Sequence, residues 1–413
     1  MLADVTVDLA ELAAREGVDI TTDPFALYAL LREQGPAHRV RLPVTGDECW
    51  LVVGTEHARA ALVDERLSGD VRFSARRQES GNISVGVNML QVDAFQHRRL
   101  RGLIAKEFTA RRVRGLYPRV RQLTEEFLEA IDTIDATAPT GVVDLVEAFS
   151  VPLPLAVICE LLGVPRSDRK DFHAWSEEML KPRGPESAGR AMRSMTEFFV
   201  NLIERKKKRD GHDLLSALIR VNEDGDGLSD EELLGMVFLL FVAGHETSAS
   251  LISNCVLSLL RHPDQLAALR ADWSLLDGAI EETLRHSAPV QASAFRFATE
   301  TLTIGGATIP AGEPVLVSLA SAARAPERFA DPDRFDIRRP LAESRGHLAF
   351  GHGAHHCIGA PLARMEASIA VRALLERYPE LRIDPEADAP AEDVVWRPNA
   401  MLRGPSRLAL RTR

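Results

Sequence analysis

Apolar residues recur at intervals of three and four positions along most of this 413-residue chain, the spacing that places them on one face of an α-helix. The pattern predicts helices over 22–34, 56–63, 117–134, 146–162, 166–180, 187–208, 276–286 and 363–378, and another from residue 93. Pro118 is expected in the first turn of its helix. Period-two alternation, typical of strands, is confined to 40–42, 49–53, 295–297, 302–317 and a stretch toward residue 410. We therefore expect a mainly α-helical fold with a minor β region.

The longest predicted helix begins with a capping-box pattern at Ser229 and can continue to His262, just before a proline. Its length and apolar character indicate a buried central helix that crosses the domain. Midway lie Ala243 to Ser248, with a glycine, titratable groups and hydroxyls, which suit a buried helix poorly. A Thr hydroxyl can bond to the preceding turn and open a pocket for a small ligand. An exposed strip is the alternative, but the close apolar flanks favour function.

A glycine-rich segment, Phe350 to Ala363, has Cys357 at its centre. Its glycines allow tight turns and a close approach to a flat partner, and the pattern becomes helical after Gly359. Cys357 is thus expected just before a helix N-terminus, where backbone N–H groups and the helix dipole favour a thiolate. Such a thiolate is a ligand for a soft metal or a nucleophile.

Three other interpretations of Cys357 are open on the residues alone. It can be a small buried residue, or a papain-like nucleophile, although that family's cysteine signature is absent. A zinc site with His352, His355 and His356 is also conceivable. Three consecutive ligands, at 355 to 357, would crowd one tetrahedron, and no CxxC or HExxH pair is present.

Composition narrows the function classes further. The net charge of −10, from 60 acidic and 50 basic residues, argues against general nucleic-acid binding. The acidic first twenty residues do not resemble a signal peptide, and the longest apolar run, 233–243, is shorter than the roughly twenty residues that span a bilayer. Four scattered cysteines suit a reducing compartment. We expect one domain over residues 1–413, cytoplasmic and independent of membranes.

The segment around Cys357 fits the pattern Phe-Gly-x-Gly-x-His-x-Cys-x-Gly-x-x-Leu-Ala at every specified position. It resembles the cysteine-ligand loop of cytochrome P-450 enzymes, whose thiolate ligates haem iron. The resemblance implies that Cys357 is the axial iron ligand, that Phe350 and Gly351 pack against the haem on its thiolate side, and that His355 reaches a propionate. His356 stands where close bacterial relatives usually have an aromatic residue, which is expected to alter packing and not ligation.

Residues 243–248 resemble the oxygen-binding groove of the same family, (Ala/Gly)-Gly-x-(Asp/Glu)-Thr-(Thr/Ser). By this resemblance Ala243 and Gly244 leave room over the haem. Thr247 holds dioxygen and relays a proton, with Glu246 as the carboxylate of the relay. Oxygen activation requires protons delivered to a site that is otherwise dry.

His97 and Arg101 are four residues apart on one predicted helix face, which on spacing alone indicates a solvated basic surface. The pair resembles the family's propionate-binding His-x-x-x-Arg, although the usual lead-in is replaced by Asp93-Ala-Phe-Gln. Arg296 matches the family's further propionate-binding arginine. The most basic region of the chain surrounds the pair and is a candidate docking face for an acidic electron donor: Arg98, Arg99, Lys106, Arg111, Arg112 and Arg114.

Glu282 and Arg285 form a Glu-x-x-Arg pair that would be weak evidence by itself. In register with the other motifs, it resembles the family's Glu-x-x-Arg, and Arg334 matches the arginine that completes the same buried network. We expect these three residues to steady the cysteine loop.

The resemblance covers nearly the whole chain, with its motifs in the expected order, and implies the cytochrome P-450 fold with a long central helix over haem b. The implied activity is a monooxygenase that inserts one oxygen atom from O2 into a C–H bond or across a C=C. No flavin or nicotinamide fingerprint is present, so electrons from NAD(P)H are expected through a separate ferredoxin and ferredoxin reductase. A non-catalytic haem sensor is the alternative, but it needs no proton relay.

Several stretches are similar to actinomycete enzymes that hydroxylate macrolides and other polyketides, which implies a bulky apolar substrate, antibiotic biosynthesis and a monomeric enzyme. Steroids, terpenoids and cyclic peptides are alternative substrates. Contacts are expected from 72–92, 175–190, 239–243, 290–294 and 400–401. Glu79 is the only carboxylate in the loop at 72–92, so a firm ionic grip on a basic amino sugar is not expected.

Overall fold

The computed structural model describes residues 6–43, 45–75, 85–137, 141–180, 184, 186–209, 211–221, 227–384, 394–397 and 401–413. The helices are α1 (Leu9–Glu16), α2 (Pro24–Gln34), α3 (Thr55–Val63), α4 (Ala94–Glu107), α5 (Ala110–Thr137), α6 (Pro152–Leu162), α7 (Arg169–Leu180), α8 (Ser187–Lys207), α9 (Leu214–Val221), α10 (Asp230–Arg261), α11 (Pro263–Ala271), α12 (Leu276–His286), α13 (Leu319–Ala323), α14 (Leu341–Ser344) and α15 (Ala360–Arg377). The strands are β1 (Val7–Asp8), β2 (Ala37–Arg41), β3 (Glu48–Val52), β4 (Leu67–Ser68), β5 (Val142–Asp144), β6 (Arg296–Ala298), β7 (Leu302–Ile304), β8 (Ala307–Ile309), β9 (Pro314–Val317), β10 (Arg382–Ile383) and β11 (Ala409–Arg411).

The central helix α10 is 32 residues long and organises the helical part of the molecule. Its capping box forms as predicted: the Ser229 hydroxyl accepts from the Glu232 N–H at 3.1 Å, and the Glu232 carboxylate accepts from the Ser229 N–H at 2.9 Å. Helices α6, α8, α12 and α15 pack around it. Within the described residues α10 alone is long and apolar enough to span a bilayer, and 72% of its most apolar stretch is buried inside the fold, as in a core helix.

The β region lies to one side and consists mainly of a six-stranded sheet in the order β1-β2-β3-β9-β6-β4. Strands β2 and β3 form the predicted antiparallel pair, and Gly46 adopts a left-handed φ of 73° in their connecting turn. Strand β3 pairs in parallel with β9, and β9 pairs antiparallel with β6. This pairing fixes Arg296, the first residue of β6, as a buried side chain near His97 of α4.

Helix α5 differs from its prediction because it begins at Ala110 and not near residue 117. The Thr109 hydroxyl accepts from the Arg112 N–H at 3.2 Å and caps the helix. The first stretch of α5 is rich in basic residues and lacks periodic apolar positions. The apolar pattern therefore did not predict the first two turns of this helix. Pro118 therefore lies in the helix interior, where its missing N–H removes one backbone bond, and the prediction that it occupies a first turn is wrong.

Glu282 and Arg285 form a fully buried bidentate ion pair, with Nη2–Oε1 and Nε–Oε2 distances of 2.7 and 2.8 Å. The remaining donors of Arg285 bind the backbone carbonyls of Ala323, Pro332 and Arg334. The network therefore fixes the irregular segment 323–339.

Arg334 completes this network only through its carbonyl. Its side chain is 64% exposed, so Arg334 joins the predicted network by its backbone and not by its guanidinium. Arg339 supplies that guanidinium instead, with Nε 3.2 Å from Glu282 Oε2 and a side chain that is 7% exposed. The neighbouring Phe335 points into the core, which turns Arg334 toward solvent.

We expect Arg339→Ala to lower the free energy of unfolding by about 3–5 kcal/mol, because it leaves part of the buried Glu282 charge uncompensated. Arg334→Ala, at an exposed side chain, should change it by less than about 0.5 kcal/mol. Urea denaturation of the two variants measures both values. Equal losses would contradict the assignment of Arg339 as the buried partner.

Candidate active site

The loop that carries Cys357 is shaped by left-handed glycines and closed by backbone hydrogen bonds. Gly351 has a φ of 72° and donates to the Leu348 carbonyl at 2.7 Å, and Gly353 has a φ of 67°. The Cys357 N–H then donates to the Phe350 carbonyl at 2.8 Å. Helix α15 starts three residues after Cys357, which places the thiol beside a helix N-terminus as predicted.

The Cys357 thiol is accessible although protein atoms surround it closely, as expected of a side chain that lines a cavity. Burial raises the pKa of the thiol, against the opposing effects of the Gly359 and Ala360 N–H groups and the positive charges of Arg101 and Arg364. A metal ion bonded to the sulfur displaces the thiol proton, so this environment suits a metal ligand better than a free thiolate nucleophile.

His97, Arg101, Arg296 and His355 converge, as the sequence predicted. The imidazole rings of His97 and His355 lie 3.9 Å apart between centroids. Burial and the nearby arginine charges lower the pKa of His97 to about 4 and that of His355 to about 3, so both rings are neutral at pH 7. Arg101 donates to the His356 carbonyl at 2.6 Å, and Arg296 to the Leu67 carbonyl at 3.2 Å.

This basic cluster contains two guanidinium charges, and in the described part of the chain neither forms an ion pair with a carboxylate. The buried His97 Nε2 also has no hydrogen-bond partner there. Unpaired buried donors and charges are costly, so the cluster fits an anionic ligand group. A thiol beside a basic cluster that can bind carboxylates fits haem. The haem iron would bind the sulfur, and the haem propionates would bind the cluster.

On α10, Ala243 is exposed and Thr247, four residues later on the same face, is half-buried, whereas most of the surrounding helix is buried. The Thr247 hydroxyl donates to the Ala243 carbonyl at 2.8 Å, the bond to the preceding turn that the sequence suggested. Gly244 does not face the same side. A Cβ there would lie 3.0 Å from Ile158 Cδ1, so Gly244 lets α6 pack closely, and the prediction that it leaves room over the haem is wrong.

Glu246 is buried and bound on three sides. Its carboxylate pairs with Arg397, lies 3.2 Å from His245 Nε2 and accepts from the Ser176 hydroxyl at 3.4 Å. Burial acts to raise the pKa of Glu246, but His245 and Arg397 outweigh it and lower the pKa to about 2. Glu246 is therefore a fixed anion. The partner Arg397 carried no signal in the sequence, because it lies 151 residues away.

Glu366 on α15 is a second buried carboxyl group near α10, which sequence reasoning missed. Burial raises the pKa of Glu366 to about 8, opposed only by a hydrogen bond with Ser248, and its Oε2 has no partner among the described residues. Glu366 therefore holds a proton at neutral pH. The signal was available, because Leu362, Glu366 and Ala370 follow one another at four-residue spacing and place an acid on an apolar stripe.

The structure describes only parts of the segments that are predicted to contact substrate. An isolated β-bridge joins Val290 to Leu402, and the Gln291 N–H donates to the Met401 carbonyl at 2.7 Å, so the segments 290–294 and 401 lie together. Residues 76–84, which include Glu79, lie outside the described residues, as do 181–183 and 185 in the segment at 175–190 and Ala400.

Comparison with known proteins agrees with this geometry. The family model "Cytochrome P450" matches residues 31–407. The chain is 52% identical to the cytochrome P450 monooxygenase PikC of Streptomyces venezuelae over 96% of this chain and 93% of the relative. It is 45% identical to 6-deoxyerythronolide B hydroxylase of Saccharopolyspora erythraea, covering 94% and 96% of the two chains. The tirandamycin C-bound structure of the P450 monooxygenase TamI superposes with a TM-score of 0.86 at 41% identity, covering 98% of this chain and 100% of that one. By sequence, fold and the arrangement around Cys357, this chain is a member of the cytochrome P450 family of haem-dependent monooxygenases.

Proposed function

We propose that this protein hydroxylates or epoxidises a bulky, largely apolar natural product of the macrolide or polyketide class in antibiotic biosynthesis. The observation that carries the proposal is the pairing of an accessible Cys357 thiol with a basic cluster whose arginines form no ion pair with a carboxylate of the described residues. Both features suit the haem that P450 monooxygenases use together with O2 and electrons from NAD(P)H.

Haem, when bound, supplies the reductive activation of dioxygen and the transfer of one oxygen atom. The role of the chain is to hold it. Cys357 would supply the sulfur that binds the iron, Phe350 and Gly351 would shape the loop around that sulfur, and Ala243 would leave space for the cofactor. His97, Arg101, Arg296 and His355 would bind the propionates.

Proton delivery is the second task, and three groups on or near α10 suit it. The Thr247 hydroxyl lies on the accessible face; it donates to the Ala243 carbonyl, and its oxygen can accept a hydrogen bond from the open side. Glu246 is the carboxylate of the relay; with its pKa near 2 it acts as an anion that orients donors and not as a stored proton. Glu366, with its pKa near 8, holds a proton and is hydrogen-bonded to Ser248, so it is a candidate proton source.

The substrate class rests on the relatives. PikC, 6-deoxyerythronolide B hydroxylase and the tirandamycin C-bound TamI each cover nearly the whole chain. The segment 239–243 is formed by apolar residues, which suits a substrate of this kind. A steroid or related terpenoid is the second candidate, because the chain is also 39% identical to the vitamin D(3) 25-hydroxylase of Pseudonocardia autotrophica.

The same reasoning supports proposals for the domain extent, location, oligomeric state and electron donor of the protein. We propose one haem domain over residues 1–413 that acts as a cytoplasmic monomer and receives electrons from a ferredoxin and its reductase. The basic residues of α4 and early α5 are the face proposed for the donor.

Two other functions are disfavoured. A haem-based sensor has no use for the Thr247 hydroxyl and the Glu246 anion on the accessible side. A zinc hydrolase needs converging ligands, and nowhere in the described ranges do three His, Cys, Asp or Glu side chains form such a group.

A panel of probes tests the substrate class: a macrolactone, a tetramic-acid polyketide, a steroid and a long-chain fatty acid. Each is titrated into the haem-loaded protein and followed by the Soret shift that accompanies loss of the iron's water ligand. We expect the macrolactone or the tetramic acid to bind at least about tenfold more tightly than the other two, a difference of about 1.4 kcal/mol. If the steroid binds most tightly, a steroid or related terpenoid replaces the macrolide or polyketide as the proposed substrate class.

Thr247→Ala should retain haem and substrate binding but release reducing equivalents as peroxide. Loss of the proton-relaying hydroxyl should lower the ratio of product to NADPH consumed by at least about tenfold. Thr196→Ala is the matched control, because the Thr196 hydroxyl also donates to a carbonyl four residues earlier, at 2.7 Å, but lies on α8. Full coupling in Thr247→Ala would contradict the relay.

Glu366→Gln should change how stability depends on pH. The ordinary pKa of a Glu is 4.5 and that of folded Glu366 is about 8, so the native state holds a proton that the unfolded state releases. The resulting stabilisation is complete below pH 4.5 and is lost as pH rises to about 8. Relative to wild type, the neutral Gln should therefore gain roughly 1–3 kcal/mol between about pH 5 and 8.5.

Urea denaturation at several pH values measures this difference. Glu376→Gln, at an exposed position on the same helix, is the control and should follow the wild-type curve. Parallel curves for Glu366→Gln and wild type would mean that Glu366 is already ionised at neutral pH.

A further inference from the structure

Glu281, the residue before Glu282, is also buried but faces a different part of the molecule. It is 2% exposed, and its carboxylate binds His347 and Arg364. These two partners lie on either side of Cys357: His347 is at the start of the cysteine loop, and Arg364 is at its end, in the first turns of α15. Glu282, by contrast, binds Arg285 and Arg339 and the segment at 323–339.

The contact between Glu281 and Arg364 is bidentate. Arg364 Nε lies 2.5 Å from Oε1 and Nη2 lies 3.1 Å from Oε2, the parallel geometry of a strong charge-assisted pair. The guanidinium carbon of Arg364 is also 4.5 Å from the centroid of the Phe350 ring, within range of a cation–π interaction. Glu281 therefore fixes Arg364, and Arg364 covers Phe350, whose carbonyl accepts from the Cys357 N–H.

The contact between Glu281 and His347 determines the tautomer of the imidazole. The Ala349 N–H donates to His347 Nδ1 at 3.2 Å, so Nδ1 carries no proton. The proton is then on Nε2, which donates to Glu281 Oε2 at 3.1 Å. His347 thereby ties the start of the loop to the same carboxylate that holds its end.

The charges in this group balance locally. Burial acts to raise the pKa of Glu281, but His347 and Arg364 lower it to about 2, so the carboxylate is ionised at any working pH. Arg345 contributes at the edge, 3.4 Å away and 53% exposed. The anion of Glu281 thus offsets the Arg364 charge, which is close enough to Cys357 to affect its thiol.

We propose that Glu281 is a positioning residue of the haem site: it clamps both ends of the cysteine loop, residues 347 to 364, and offsets the Arg364 charge beside the sulfur. The inference rests on the proposed role of Cys357 as iron ligand. It assigns the support of the loop to Glu281, whereas the sequence had assigned that support to Glu282, Arg285 and Arg334.

The test uses haem-loaded Glu281→Gln, Arg364→Gln and the double variant, with Glu376→Gln on α15 as the matched surface control. The first readout is the rate at which the reduced carbon monoxide complex changes from thiolate-ligated to thiol-ligated haem. Each single variant should lose the thiolate form at least about tenfold faster than wild type, because the bidentate contact that fixes Arg364 to the buried Glu281 carboxylate is broken. The double variant should be no worse than the worse single one, since the two residues act as one unit.

The second readout is the reduction midpoint potential of the haem, which a purely structural role would not move in a charge-dependent way. Glu281→Gln leaves the Arg364 charge without its anion and should raise the potential. Arg364→Gln removes the cation and should lower it, and the double variant should return toward wild type. If Glu281→Gln does not fold, Arg364→Gln and Arg364→Lys decide the question, because Lys keeps the charge but cannot form the bidentate pair.

Additive losses in the double variant, equal effects of the control, or potential shifts of the same sign in both single variants would overturn the clamp. Failure of the proposed function is distinguishable from failure of the clamp. It would appear in the wild-type protein itself, as the absence of any thiolate-ligated carbon monoxide complex.

Discussion

The backbone hydrogen bond from Cys357 N–H to the Phe350 carbonyl, 2.8 Å long, is the contact on which the rest of the site depends. It closes a turn in which Gly351 and Gly353 have positive φ, a conformation that favours glycine, and it fixes the sulfur at the start of α15. The same turn sets His355 against His97 and starts the helix that carries Glu366 to α10. One loop therefore determines the position of the metal ligand, one member of the basic cluster and the buried acid.

Around this loop the structure separates three electrostatic environments, and each suits one part of oxygen chemistry. The basic cluster of His97, Arg101, Arg296 and His355 contains two arginines that pair with no carboxylate in the described ranges, which suits binding of a dianionic cofactor. Glu246 is an anion that pairs with Arg397 and contacts His245, so it can orient donors without giving up a proton. The carboxyl of Glu366, further along α15 than the cysteine loop, is neutral and holds a proton. Burial acts on both acids, and the presence or absence of a cationic partner decides which one ionises.

Features encoded in contiguous sequence could be predicted, and features that depend on distant partners could not. The capping box of α10, the Cys357 loop and the Thr247 bond to the preceding turn all involve residues within a few positions of one another, so local spacing was sufficient. The arginines that pair with the buried carboxylates were missed or misassigned, because many arginines are available and tertiary packing chooses among them: Arg339 for Glu282, Arg364 for Glu281 and Arg397 for Glu246. Gly244 is another example. The local motif suggested that it leaves space for a cofactor, but its position against Ile158 depends on tertiary packing, which the motif does not show.

The absorption spectrum of the purified protein, reduced with dithionite and exposed to carbon monoxide, tests the central claim most directly. Thiolate ligation by Cys357 predicts a Soret band shifted strongly to the red of that of a histidine-ligated haem, and Cys357→His should abolish the shift while retaining haem. An unshifted band in the wild-type protein, or protein that binds no haem under conditions that load its relatives, would contradict the assignment of Cys357 as the iron ligand.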